Sequence, residues 1–194
     1  NPHKLTHNDI RCFAEDDNYL WVGTMQGINL VDKTTYQITP FHAPTLQTVE
    51  IRDLFCDRKG TIWAAAGQSL FKCEARLGIQ KEYTLKKSPH TFFEDRDGNL
   101  WFLTWNGDIL KYNDRNDSFT QYAQMNNCNP YRMTQDNQGR YWIATWGNGI
   151  WRFDPDCRDQ KLMFQRQSII NPIRHSLEQV FFDIVQDDMY GYLW

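Results

Sequence analysis

The 194-residue sequence lacks most of the features that announce a function. No charge of one sign dominates: 21 Lys and Arg against 24 Asp and Glu leave a formal net charge of −3, so no basic field is present to hold nucleic acid or an anionic membrane. Nucleic acid is therefore not an expected partner. No apolar run approaches the roughly 20 residues that a membrane helix needs. The five cysteines (Cys12, Cys56, Cys73, Cys128, Cys157) form no Cys-x-x-Cys pair and specify neither a zinc site nor a disulfide scaffold. The five histidines are scattered without metal-ligand spacing, and neither a nucleophile elbow nor a phosphate loop occurs, so no metal and no cofactor is expected. With only eight alanines the chain gives little support to long helices. What is present, 41% apolar and 15% aromatic residues, excludes disorder and collagen and fits one substantial globular domain or two small ones.

The sequence repeats itself. Trp21, Trp63, Trp101, Trp142 and Trp194 stand 42, 38, 41 and 52 residues apart, each after a short turn that follows an apolar run ending in Asp16, Asp57, Asp95, Asp136 or Asp187. Such spacing marks repeated supersecondary units. Each unit opens on a strand a rich in aromatic and branched residues: Ile10 to Glu15, Ile51 to Cys56, Thr91 to Glu94, Tyr131 to Gln135 and Val180 to Gln186. Turns such as Asp57-Arg58-Lys59-Gly60 and Asp95-Arg96-Asp97-Gly98 follow, with an acceptor side chain first and a permissive backbone fourth. Strand b holds the tryptophan, as in Leu100 to Thr104. A Gly-containing turn leads to strand c, such as Ile109 to Asn113, and a polar tip, such as Asp154 to Asp159, leads to strand d, such as Tyr36 to Phe41, Phe119 to Tyr122 or Leu162 to Gln165.

Four short antiparallel strands in roughly 40 residues are the arithmetic of a β-propeller blade. One meander cannot bury both of its faces, so like sheets must pack on one another. The expectation is an all-β chain of propeller blades at about 8–48, 49–87, 88–128 and 129–178, with an incomplete one at 179–194, forming an arc of a larger ring of about seven blades. An open β-sandwich is the rival, but it would not demand the same Trp in every unit. The chain opens on Asn1-Pro2-His3 without an initiator Met and stops at Gly191-Tyr192-Leu193-Trp194 inside an expected strand, so it is expected to be a piece of a longer protein. Its sheet edges are expected to seek partners: the remaining blades of the parent chain, or a second copy as a homodimer.

The unit Asn8-Asp9-Ile10-Arg11-Cys12-Phe13-Ala14-Glu15-Asp16, with Leu20-Trp21-Val22-Gly23-Thr24 and Gly27-Ile28, closely resembles the two-component regulator propeller repeat. The resemblance recurs at Phe92 to Ile109, Met133 to Ile150 and Phe182 to Trp194; the second unit departs from it, with Ala66-Gly67-Gln68-Ser69-Leu70 where others carry a Thr and a later Gly. The resemblance implies a periplasmic sensor segment of a hybrid two-component protein, anchored in the inner membrane only through a downstream segment. It also implies an oligosaccharide ligand that regulates polysaccharide-utilisation genes, a parent that is a sensor histidine kinase, and no enzyme activity in this segment. It transfers no individual site residue.

Connectivity places the a–b and c–d tips at one end of each unit, and the b–c and d–a connections at the other. Extra length and variation gather at the second end, as functional loops do. Trp105 and Trp146 occupy equivalent b–c positions beside Asn106, Asp108 and Asn148, where an indole can pack on the apolar face of a sugar and amides can bond its hydroxyls. His90, Tyr131 and Arg132 enter strand a near the same end. These eight are the candidate ligand residues, against the alternative that each packs or bonds structurally. The repeat tryptophans themselves are expected in the core.

Propellers also host glycoside hydrolases and polysaccharide lyases, and purely structural propellers exist, so fold alone does not decide. The repeated Asp residues fit turn formation better than paired-carboxylate catalysis. They superficially resemble the sialidase Asp box, but Asp57, Asp95 and Asp136 stand six residues before Trp rather than that motif's five.

Overall fold

A computed structural model describes residues 4–168, 181 and 183–185. Four meanders follow one another along the chain. The first comprises β1 (Ile10–Glu15), β2 (Tyr19–Thr24), β3 (Gly27–Asp32) and β4 (Ile38–Pro40); the second β5 (Ile51–Cys56), β6 (Ile62–Ala66), β7 (Ser69–Glu74) and β8 (Gly78–Thr84). The third comprises β9 (Pro89–Glu94), β10 (Leu100–Thr104), β11 (Asp108–Asn113) and β12 (Ser118–Gln124); the fourth β13 (Pro130–Gln135), β14 (Tyr141–Thr145), β15 (Gly149–Phe153) and β16 (Phe164–Gln167). Each sheet keeps chain order, and these are four blades of a β-propeller. Strands β6 and β10 are buried at every residue, the signature of a strand covered on both faces.

The chain forms two compact units, Asn1–Phe92 and Phe93–Trp194, with the division falling inside β9. In the first, Trp21 and Phe41 lie 4.9 Å apart between rings and share a core with Leu46, Ile51, Leu54 and Phe71. Asp53 is buried in β5 and reaches β9, its Oδ2 accepting from the Thr91 hydroxyl at 2.9 Å and the Phe92 N–H at 2.8 Å. In the second, Trp101 packs edge-on to Tyr141 and Phe153 above Leu103, Ile109 and Ile143.

One carboxylate organises the a–b turn of every blade. Asp57 Oδ1 accepts the N–H groups of Lys59 and Thr61, while its Oδ2 accepts the Trp63 indole N–H at 2.9 Å. The same indole bond joins Trp21 to Asp16, Trp101 to Asp95 and Trp142 to Asp136 at 2.7 to 2.8 Å. The Asp–Trp repeat is thus a hydrogen-bonded pair that lets a polar indole be buried without a lost bond.

The structure differs from sequence expectation in three places. Trp142 is half-buried rather than core, with the Arg140 guanidinium 5.5 Å from its ring. The strand expected at Leu162 to Gln165 begins later: Asp159 caps a one-turn helix, α1 (Gln160–Met163), by accepting the Lys161 N–H at 2.9 Å, and β16 starts at Phe164. The strand expected from Tyr36 begins at Ile38, because Tyr36 takes a left-handed φ of 57° in the turn. The fifth unit expected at 179–194 lies outside the described residues except for 181 and 183–185, which are not strand. Among the described residues no helix is long and apolar enough to cross a membrane.

Candidate functional site

Three aromatic side chains gather at the b–c end of the second unit. The ring centroids of Trp105 and Tyr131 lie 6.0 Å apart, those of Trp105 and Trp146 6.4 Å, and those of Tyr131 and Trp146 6.3 Å. These are the separations of rings in direct contact. Trp146 is 43% exposed, Trp105 and Tyr131 are half-buried, and Asn106, the next residue after Trp105, is exposed.

Each member is placed by its own local device. In the Trp105 turn the Gly107 N–H donates to the Thr104 carbonyl at 3.1 Å and the Asp108 N–H to Thr104 Oγ1 at 3.0 Å. Gly107 has φ +93°, and a Cβ there would run into the Met125 carbonyl, so this position requires glycine. In the Trp146 turn Thr145 Oγ1 donates to the Gly149 carbonyl at 2.6 Å. Tyr131 owes its direction to a β-bulge: the pairing of β13 with β14 shifts between Pro130 and Arg132, which frees the intervening residue to be re-aimed.

The link 125–129 ties both turns down. The Met125 N–H donates to the Gly107 carbonyl at 2.8 Å, the Trp146 N–H to the Asn129 carbonyl at 2.9 Å, and Asn148 Nδ2 to the Asn127 carbonyl at 3.0 Å. The Asn148 carbonyl in turn accepts the Trp151 indole N–H at 3.0 Å. A platform held by this many backbone bonds is pre-organised, which lowers the ordering cost of any ligand.

The eight candidate residues therefore part company. Trp105, Tyr131 and Trp146 come together, and Asn106, next to Trp105 in the chain, is exposed. Asn148 serves as a brace, and Asp108 is buried at the start of β11. Arg132 Nε lies 3.5 Å from Asp183 Oδ1. His90 is half-buried in β9 and belongs to the first unit. Sequence reasoning overlooked Asp183, Met125 and Asn127. The length of the connection before Asp183 was a signal; the two link residues carry none.

A concavity of about 620 Å³ lies at the a–b end of the first unit among Asp16, Lys33, Asp57, Arg58 and Arg76. Much of its polar lining is already committed. Lys33 Nζ donates to the Asp16 carbonyl at 2.6 Å and pairs with Glu15 at 3.0 Å, and both Asp carboxylates are occupied by turn N–H groups and indoles. It is a trench between turns whose two Asp carboxylates serve the fold.

Ionisation follows these contacts. Burial opposes the charge on Asp95, but bonds from Trp101, Asn99 and Tyr141 outweigh it and hold the carboxyl below its ordinary range. Asp136 is likewise lowered against burial by Trp142, Arg140 and Gln138. Tyr141 is raised by burial and by its bond to Asp95. Burial alone pushes the Cys73 thiol up to about 12.

Residues 4–26, 86–106 and 124–147 match the family model described as two component regulator propeller. No curated protein matches the chain. The extracellular domain of the hybrid two component system BT4673 from B. thetaiotaomicron superposes with a TM-score of 0.77 at 17% identity, over 96% of this chain and 26% of that one. The corresponding domain of BT3049 from the same organism gives 0.71 at 16% identity, over 95% and 26%. Virginiamycin B lyase from Staphylococcus aureus gives 0.71 at 19% identity, over all of this chain and 64% of the enzyme. The chain spans about a quarter of the length of the two sensor domains. At such identities the likeness is one of fold.

Proposed function

We propose that this chain, which is built of two component regulator propeller repeats, is a ligand-sensing extracytoplasmic segment of a hybrid two-component signalling protein. Its ligand is an oligosaccharide, its address the periplasm, and its output the regulation of polysaccharide-utilisation genes through kinase modules elsewhere in an inner-membrane parent. The segment itself is not an enzyme.

The platform of Trp105, Tyr131 and Trp146 carries this reading. Rings 6.0 to 6.4 Å apart pack on one another and leave no room for an ammonium group between them, which argues against an aromatic cage for a quaternary amine. A cluster of touching rings, partly exposed at Trp146, instead suits a pyranose, which has a C–H face to stack on them. The repeat family and the fold likeness to two extracellular domains of hybrid two-component systems support the signalling part.

A second reading, a catalytic propeller such as a lyase, is favoured by the likeness to virginiamycin B lyase. Calorimetry of the full-length protein against a glycan panel, with chromatography of the same mixtures, separates the two. Binding with intact ligand supports the sensor. Conversion of a glycan into product defeats it.

A further inference from the structure

Each unit carries an apolar side chain three residues before its turn Asp: Phe13, Leu54, Phe92, Met133 and Ile184. Leu54, Phe92, Met133 and Ile184 are 3 to 4% exposed, whereas Phe13 is 56% exposed. Where the position is buried in blades two to four, the preceding blade buries it. Leu54 shares a core with Trp21, the Phe92 ring lies 6.3 Å from that of Trp63, and Met133 shares a core with Trp101. Each of those indoles is bonded to its turn Asp.

Two neighbouring positions follow the same rule. Ile51, Pro89 and Pro130 are buried, but Ile10 is 41% exposed; Ile62, Leu100 and Tyr141 are buried, but Leu20 is only half-buried. On the same face, in the cross-strand row Phe13, Val22, Asn29, the Asn29 amide is held by Thr6: its Oδ1 accepts the Thr6 N–H at 3.0 Å and its Nδ2 donates to Thr6 Oγ1 at 2.9 Å. Thr6 therefore takes up the strand c side of this face, and Phe13 and Ile10 on strand a stay open to solvent.

We propose that Ile10, Phe13 and Leu20 form the docking face for a further blade of the same polypeptide, one that presents an Asp-bonded tryptophan as Trp21, Trp63 and Trp101 do. An exposed apolar face whose counterparts are core elsewhere in the repeat is an interface, and covering it removes that surface from water. The chain spans 26% of the BT4673 extracellular domain, so a single polypeptide of this fold has ample length for more sheets. A second copy is the weaker occupant. Its fourth blade, the end that would have to mate, is already met by the chain's own continuation, with the Phe181 N–H donating to the Thr145 carbonyl at 3.2 Å.

The test uses the full-length protein. Hydroxyl-radical footprinting of wild type, read by mass spectrometry and corrected for intrinsic reactivity, should find Phe13 about tenfold less modified than Tyr36, as expected for a side chain that passes from 56% exposure into a packed interface core. Phe13→benzoylphenylalanine, irradiated, should then cross-link at monomer mass to a Trp-bearing peptide outside residues 4–168. Modification of Phe13 at the Tyr36 rate overturns the inference. So does a cross-link at doubled mass, which assigns the face to a second copy, or one within residues 4–168, which assigns it to the chain's own first residues. None of these outcomes touches the oligosaccharide reading, which glycan binding tests separately.

Discussion

The indole of Trp101 and the carboxylate of Asp95 form a buried bond of 2.8 Å, and the same oxygen, Oδ2, also accepts the Tyr141 hydroxyl of the following blade at 2.8 Å. One side chain therefore closes a turn, satisfies a core indole and joins two sheets. Removing it strands two buried donors, each costing about 1–3 kcal/mol. Asp95→Ala is expected to lower unfolding stability by about 3 kcal/mol, whereas exposed Asp17→Ala stays within about 0.5 kcal/mol of wild type. Urea denaturation of the three proteins measures the difference.

Acid should reveal the same groups. Asp95 and Asp136 have folded pKa values below their ordinary 3.8, so the unfolded chain takes up protons first as the pH falls. Their contribution is complete above that ordinary value and is lost as the pH drops from about 4 through the lower folded values. Melting temperature measured between pH 7 and 2 should fall steeply only below about pH 4, and less steeply in Asp95→Asn.

Trp146 and Trp101 should behave oppositely. Trp146→Ala removes a side chain that is 43% exposed and should weaken glycan binding by about 1–3 kcal/mol with little loss of stability. Trp101→Ala, at 1% exposure, should cost about 3–5 kcal/mol of stability. Calorimetry and thermal melting distinguish them, and unchanged affinity in Trp146→Ala removes that residue from the site.

The two turn glycines should also separate. Gly147→Ala meets no atom within 4 Å and pays only for its φ of +84°, about 1 kcal/mol. Gly107→Ala carries that strain and a clash with the Met125 carbonyl as well, so it should cost more and loosen Trp105. Hydrogen exchange at the Met125 amide, bonded to Gly107, reports the loosening.

Cys73 should resist alkylation in the native state at pH 8. Its thiol is buried and pushed up to about 12, leaving almost no thiolate to react. Modification should appear only after denaturant is added, as followed by mass spectrometry.

The b strands and a–b turns were legible because two chemically particular residues, Asp and Trp, mark each one. The bond between them was not: spacing sets the pair in a hairpin but does not say that one oxygen serves the backbone and the other the indole. Trp105 and Trp146 were found by position, yet their contact with Tyr131 depends on a bulge, a change of pairing that leaves no mark in composition. Asp53 reads as an ordinary strand residue until Thr91 and Phe92, far along the chain, are brought to it. Asp159 looked like part of a polar tip, but its side chain starts α1.

The register slip that re-aims Tyr131 recurs between Ile10 and Cys12 and between Ile51 and Asp53, setting Arg11 and Arg52 at bulges of their own strands. A side chain at a bulge stands outside the ladder's register and can be exchanged without re-registering the sheet. Three of the four described blades thus carry a bulge position on a fixed chassis, where a single substitution can change the surface while the architecture is inherited intact.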